Sequence, residues 1–233
     1  MFLLNEIKDS LLHLAFPHVC ECCGTDNLQA EHLLCLRCLS SLPTTNFHLH
    51  ANNPVEKIFW GRIAVTCATA QYYFTKESMI QHLMHQFKYK GNKEVGIYLG
   101  KLMGWAIAES NRFSTVDALI PLPLHKSKEH KRGYNQAVLL CEGISTILNK
   151  PVLKNIVTRP EKTETQTRKS RIQRWQNMKG KFELTDASAI ESKHLLLVDD
   201  VVTTGATLEA CGKEILKAKN VQLSLATLCF SFH

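Results

Sequence analysis

Asp199 and Asp200 are followed, after two intervening valines, by Thr203-Thr204-Gly205 and then by Thr207, a combination able to hold a phosphorylated sugar. Paired carboxylates accept bonds from ribose hydroxyls or help to hold Mg²⁺. The threonine hydroxyls can donate to a phosphate, and Gly205 lets the backbone come close to it. Backbone N–H groups from Val202 through Thr203, Thr204, Gly205 and Ala206 to Thr207 would complete the cradle, because a turn that opens a helix attracts a phosphate dianion. The elements needed to position these groups are legible on both sides. Leu195 to Val198 is an apolar run of the kind that forms a buried parallel strand, and Thr207 to Leu216 continues as a helix. That places the pair at a strand's carboxyl end, where open α/β sheets bind ligands. The plainer alternative is an acidic strand end with an ordinary helix cap, which leaves the run of hydroxyls unused.

Two basic segments could complete such a site. The first runs from Ile120 to Gln136 and leaves another apolar strand, so Lys126, Lys128, Lys131 and Arg132 could face a diphosphate. Within it Gly133 permits close backbone approach, and Asn135 is placed to cap the helix that follows. The second lies in a long polar stretch from Arg159 to Gly180. There Arg174 and Asn177 are the groups best matched to diphosphate oxygens, on a loop long enough to close over a ligand. The net charge of +7 is concentrated here: residues 121–185 hold 14 Lys and Arg against 5 Asp and Glu. Such a sector suits a polyanion, either a diphosphate ester or nucleic acid. A solvated basic surface is the bland alternative.

Cysteine carries a different chemistry. With no secretion signal, nine cysteines do not suggest a disulfide framework. Cys20, Cys23, Cys35 and Cys38 follow a C-x2-C-x11-C-x2-C pattern, two knuckles able to close a tetrahedron around structural Zn²⁺. Cys22 could replace Cys20 or Cys23, or point away. His18 and His32 are outside candidates. A four-thiolate site is closed and non-catalytic, so its expected role is to fold a segment too small to fold alone. Arg37 is the sole Lys or Arg between Cys20 and Cys38, which argues against a DNA-binding finger. Cys67, Cys141, Cys211 and Cys229 sit singly in apolar stretches and read as core residues.

At 233 residues the chain suits one sizeable α/β domain with a small appendage. Expected boundaries are 1–58 for the cysteine-bearing segment and 59–233 for the larger domain. No apolar run reaches the ~20 residues of a membrane span, so no membrane insertion is expected. Met1 to Phe16 has charges and helical spacing that suit an amphipathic docking helix better than a signal peptide, which implies a cytoplasmic protein. Strands are predicted over 63–74, 116–121, 152–157, 195–198 and 221–230, with a brief one from Phe182. Helices are predicted near 77–89, 93–109, 135–148 and 207–216. This alternation implies a mostly parallel sheet with flanking helices. No P-loop, zinc-protease, nucleophile-elbow or dinucleotide-binding motif is present.

The acidic pair with its Thr-Thr-Gly turn resembles the phosphoribosyl diphosphate (PRPP) motif of type I phosphoribosyltransferases. Taken whole, the chain resembles the ComF family, associated with natural competence for DNA uptake. The likeness includes both cysteine pairs followed by Leu42-Pro43, then Phe87-Lys88-Tyr89-Lys90-Gly91-Asn92, Pro121-Leu-Pro and Lys131-Arg-Gly-Tyr-Asn-Gln136. Gln166, Arg174, Asn177 and Phe182 follow at family spacing, and then the acidic pair and its turn. Lys169 departs from the family, which often has an apolar residue there. The resemblance implies a phosphoribosyltransferase-type fold, an amino-terminal zinc ribbon and a link to incoming single-stranded DNA. Asp199, Asp200 and Arg174 would then act at the reacting centre, with Mg²⁺ arriving alongside PRPP. Lys131, Arg132, Gly133 and Asn177 would meet the diphosphate. Closure by the second basic segment matters because C1 of PRPP develops oxocarbenium-like charge, and water must be kept away.

Three classes of function stay open on the sequence. One is a transferase with an unidentified acceptor, whose hood would have to come from the first ~60 residues, a size set by domain anatomy. Another is a non-catalytic module that senses PRPP and binds single-stranded DNA or a competence helicase. The last is a zinc-stapled interaction protein with a vestigial site, against which the intact acidic pair speaks.

Overall fold

A computed structural model describes residues 18–26, 28, 32–160 and 182–231. The expected docking helix at Met1–Phe16, and Gln166, Lys169, Arg174, Trp175 and Asn177 of the second basic segment, lie outside the described residues.

Alternating burial builds the centre of the molecule. In the strand His194–Val202 (β5), Leu195 and Leu197 enter one apolar core while Leu196 and Val198 enter the other. A strand buried on both faces needs helices on both sides, which is the setting of a parallel sheet. Among the described residues β5 lies in a four-stranded sheet with Ala68–Tyr73 (β1), Ala118–Pro121 (β2) and Gln222–Phe230 (β6). The order is β1-β6-β5-β2, parallel at each pairing. Val152 adds a parallel bridge to Leu119 at one edge. At the other edge Thr44 bridges Tyr72 in antiparallel sense, so the chain just after the cysteines covers an edge that would otherwise be open.

The helices start where the sequence offers capping side chains. Asn92 and Asn135 accept backbone N–H bonds at the heads of Lys93–Glu109 and Gln136–Leu148, as Ser78 does for Met79–Tyr89. The two longest of these helices touch backbone to backbone. A Cβ on Gly143 would lie 2.2 Å from the Ile97 carbonyl oxygen, and one on Gly100 would lie 2.4 Å from that of Leu140. Gly143→Ala should therefore destabilise by about 1–3 kcal/mol in a denaturant titration, as overpacking does. An unchanged midpoint would show that the helices separate freely.

Four expectations are corrected. No helix is predicted between 121 and 135, yet Lys126–Arg132 is helical, capped by His125 and stopped by Gly133 at φ 78°. Lysine, arginine and glutamate are good helix formers, and a left-handed glycine is a common terminator. At about 100° per residue this helix spreads its cations around its girth, whereas a loop could have gathered them. The strand expected over 152–157 is reduced to the Val152 bridge and to Val157–Thr158 (β3), which pairs antiparallel with Glu183–Leu184 (β4). Beside this pair the Thr185 N–H donates to the Ile156 carbonyl at 2.9 Å. The first strand begins at Ala68, later than its apolar pattern. Finally, β5 runs through the acidic pair to Val202 and does not stop before it.

Candidate functional site

The Thr203-Thr204-Gly205 turn stands between β5 and the helix Ala206–Ile215. Gly205 adopts φ 71°, the left-handed conformation that glycine enters at little cost. A Cβ there would lie 2.6 Å from Ile58 Cγ2 and 2.8 Å from Phe59 Cε1. The short helix Pro54–Phe59 thus backs the turn from behind, on residues from the amino-terminal part of the chain. Arg62 reaches the same turn: its Nη1 donates to the Thr204 carbonyl at 2.8 Å.

The acidic pair is asymmetric. Asp199 Oδ1 accepts the backbone N–H of Asp200 at 2.8 Å, and Asp200 Oδ2 takes Lys88 Nζ at 2.7 Å. Burial first, and then the neighbouring Asp200 charge, push the Asp199 carboxyl well above the ordinary carboxylate range. A carboxyl raised on folding contributes stability at low pH that is lost as pH rises through its folded value. Asp199→Asn should accordingly melt higher than wild type at neutral pH, with the gap opening from pH ~4 upward, the ordinary carboxylate value. Melting curves that stay superimposed from pH 4 to 8 would contradict the burial of that charge.

Lys88 was not singled out as a site residue by sequence reasoning. It belongs to the Phe87-Lys88-Tyr89 run, where a lysine near a helix end reads as solvated. The surrounding contacts tie that run to the first basic segment. The Tyr134 hydroxyl donates to the Phe87 carbonyl, the two rings stack at 6.3 Å, and the Arg132 guanidinium lies 5.6 Å from the Tyr89 ring. Arg132 Nη1 also donates to Gln136 Oε1 at 2.7 Å. On the backbone side, Leu122 N–H donates to the Val198 carbonyl and Asn135 Nδ2 to that of Leu122. The segment Arg132–Asn135 is thereby held beside the carboxyl end of β5, on the rim that carries Asp200. Gly133, Tyr134 and Asn135 also line a cleft of about 520 Å³ floored by Leu124, Val138 and Val157. Lys131 is exposed on the last turn of its helix.

The cysteines converge as their spacing implied. Sγ atoms of Cys20, Cys23, Cys35 and Cys38 all lie within 4.8 Å of one another, and Cys23 and Cys35 are 3.7 Å apart. A tetrahedron with Zn–S bonds of ~2.3 Å has edges of about 3.8 Å, so the four sulfurs fit such an ion. Burial opposes ionisation of Cys20, but N–H groups of Cys35, Cys23 and Cys22 outweigh it and bring the thiol down to about 6. Cys22 is not in the cluster. Burial, followed by the charges of Cys20, Cys23 and Cys35, pushes its thiol up to about 12, which favours the protonated form. His18 instead bonds through Nε2 to the His32 carbonyl. The remaining cysteines, Cys67, Cys141, Cys211 and Cys229, are buried, as core residues should be.

The cysteine segment rests on the helix that carries Lys88. Gln86 Nε2 donates to the Glu21 carbonyl at 2.8 Å, and Asn92 Nδ2 to Glu21 Oε1 at 3.1 Å. Cys20, Cys35 and Cys38 share a core with Leu83 and Phe87.

Residues 135–232 match the phosphoribosyl transferase domain model. Competence protein F of Haemophilus influenzae is 30% identical over 81% of this chain and 86% of its own length. The chain belongs to the ComF family. DNA utilization protein YhgH of Escherichia coli is 28% identical to this ComF chain, over 93% of it and 92% of the relative. Among solved structures, adenine phosphoribosyltransferase of Saccharomyces cerevisiae is 18% identical, covers 62% of the chain and 71% of its own, and has a TM-score of 0.36. The fold is that of a phosphoribosyl transferase domain, an α/β architecture with a parallel sheet and flanking helices. The matched domain of this ComF protein contains the acidic pair and its turn. Lys88, Arg62 and the four clustered cysteines precede it. No helix among the described residues is long and apolar enough to cross a membrane.

Proposed function

We propose that this ComF protein binds PRPP with Mg²⁺ at the Asp199–Thr207 turn and serves DNA uptake as a phosphoribosyltransferase with an acceptor still to be identified. The observation that carries the reading is the left-handed Gly205 turn, braced from behind, directly after a carboxylate pair at the carboxyl end of a central strand. Val202 to Thr207 would hold the 5-phosphate, and Asp199 and Asp200 would accept the ribose hydroxyls. Mg²⁺ ions of this kind use one or two carboxylates together with ligand phosphates, which these two carboxyls fit. When bound, the ion would neutralise diphosphate charge. Lys88 keeps Asp200 paired in the unliganded protein. Lys131, Arg132 and Gly133 would meet the diphosphate, with Arg174 and Asn177 closing over it. In transfer, the C1–oxygen bond to diphosphate breaks, that oxygen keeps the electron pair, and a bond forms from an acceptor lone pair to C1. The names of the relatives, competence protein F and DNA utilization protein, support the link to DNA. The four-thiolate cluster would hold one structural Zn²⁺.

A second reading is a non-catalytic module that senses PRPP while the basic sector holds single-stranded DNA or a helicase, supported by the concentration of charge in residues 121–185. Affinity for single-stranded DNA across a salt series, with and without saturating PRPP and Mg²⁺, separates the two. If Arg174 serves the diphosphate, Arg174→Ala weakens PRPP binding and leaves DNA binding nearly unchanged. If it lines a DNA track, the slope of log affinity against log salt becomes shallower by about 0.7. Tight DNA binding indifferent to PRPP, with that change of slope, would overturn the diphosphate role.

A further inference from the structure

Arg62 stands outside the matched domain, is 142 positions from Thr204 in the chain, and makes the polar clamp of the phosphate turn. Its Nη1 donates to the Thr204 carbonyl at 2.8 Å and to the Ile58 carbonyl at 3.0 Å. Its Nε donates to Glu209 Oε2 at 2.8 Å, and Nη2 reaches the same oxygen. Glu209 lies in the first turn of the helix that follows the turn, and Lys213 holds its other oxygen at 2.6 Å. One planar guanidinium therefore joins three parts of the chain: the end of the Pro54–Phe59 helix, the turn, and the helix beyond it.

The bond to Thr204 has a geometric consequence. A trans peptide points its carbonyl and its N–H in opposite directions, and no peptide among those described is cis. Fixing the Thr204 carbonyl toward Arg62 turns the Gly205 N–H to the opposite side, the side on which a ligand phosphate would sit. Without the clamp, a peptide flanked by a left-handed glycine could rotate and present its carbonyl oxygen to the phosphate. That would replace a donor with a repelling dipole. Ile58 and Phe59 bar the glycine sterically but cannot choose the peptide's orientation.

We infer that Arg62 is a positioning residue for 5-phosphate recognition, acting through the Thr204–Gly205 peptide without touching the ligand. This rests on the phosphoribosyl reading of the turn. A lysine could keep the charge near Glu209 but cannot make the forked set of bonds, so Arg62→Lys should restore little. The requirement is for the guanidinium's shape and not for a positive field.

The test titrates ribose 5-phosphate and, separately, Mg²⁺-pyrophosphate into full-length wild type, Arg62→Ala and Arg62→Lys. Arg62→Ala should lose tenfold or more in ribose 5-phosphate affinity and stay within twofold for Mg²⁺-pyrophosphate, which the basic rim would hold. Arg62→Lys should resemble the alanine variant. Equal losses for both ligands would mean general damage and overturn the inference, as would full rescue by lysine or no loss at all. If wild type binds neither ligand, the phosphoribosyl reading fails instead. Hydrogen exchange at the Gly205 and Ala206 amides then decides on Arg62: faster exchange in Arg62→Ala upholds the clamp, and unchanged protection overturns it.

Discussion

Cys35→Ser is expected to abolish Zn²⁺ binding at the four-cysteine cluster and unfold the chain before about residue 42, while the sheet survives. Four thiolates at this spacing favour the ion by order 10 kcal/mol, which is comparable to the stability of a whole domain. The segment's own secondary structure is slight: the helix Leu36–Ser40 is barely more than one turn and buries only Cys38. Losing it would uncover the face of the Met79–Tyr89 helix on which Cys20, Cys35 and Cys38 pack. Metal analysis should find about one Zn²⁺ per wild-type chain, an occupancy set by the four-ligand site, and none in the variant. Limited proteolysis should then cut the variant ahead of Leu42 and leave the remainder intact. Absence of zinc from unoxidised wild type would refute the metal assignment, and an uncut variant would refute its structural role.

Gly205→Ala should leave the sheet folded yet nearly abolish binding of a phosphorylated ribose. Left-handed backbone costs a non-glycine residue roughly 1–2 kcal/mol, and overpacking adds about 1–3 kcal/mol. The new Cβ would stand under 3 Å from both Ile58 and Phe59, and both belong to a helix pinned by Asn53 and Glu56. The turn, which lies at the surface, is the softer partner and would move. Release of a few kcal/mol of strain through the turn predicts an affinity loss of a hundredfold or more, since each 1.4 kcal/mol is tenfold. Calorimetric titration with PRPP and Mg²⁺ reads this directly. An alanine variant binding as tightly as wild type would show that the turn is not where the ligand's phosphate sits.

Local chemistry made the central parts of this molecule legible in sequence. The strand, acidic pair, glycine turn and helix are consecutive, so one short stretch holds the whole pattern. The helix Lys93–Glu109 lies between an asparagine cap and a run that breaks its period, and its bounds follow from those signals. The four cysteines follow the spacing of a four-thiolate site, and the structure leaves Cys22 outside their cluster. What escaped was carried by pairs remote in sequence. Nothing near Lys88 announces Asp200, and nothing near Arg62 announces Glu209 or the Thr204 carbonyl. The Thr44 bridge to Tyr72 is equally non-local. The helix at Lys126–Arg132 was hidden for a different reason: a charged and polar run with no apolar stripe has no helical period to read, although its propensities and its glycine stop favour a helix.

The central claim is tested most directly by calorimetric titration of PRPP with Mg²⁺ into wild type and Asp200→Asn. The substitution conserves volume and removes the charge that pairs with Lys88 and would accept a ribose hydroxyl. Saturable one-site binding is expected for wild type. In the variant it should be weaker by about 1.5–3 kcal/mol, the range for a hydrogen bond to a charged group, with the fold unchanged by circular dichroism. No binding to wild type, or equal affinity in the two proteins, would contradict the assignment of the Asp199–Thr207 turn as a phosphoribosyl site.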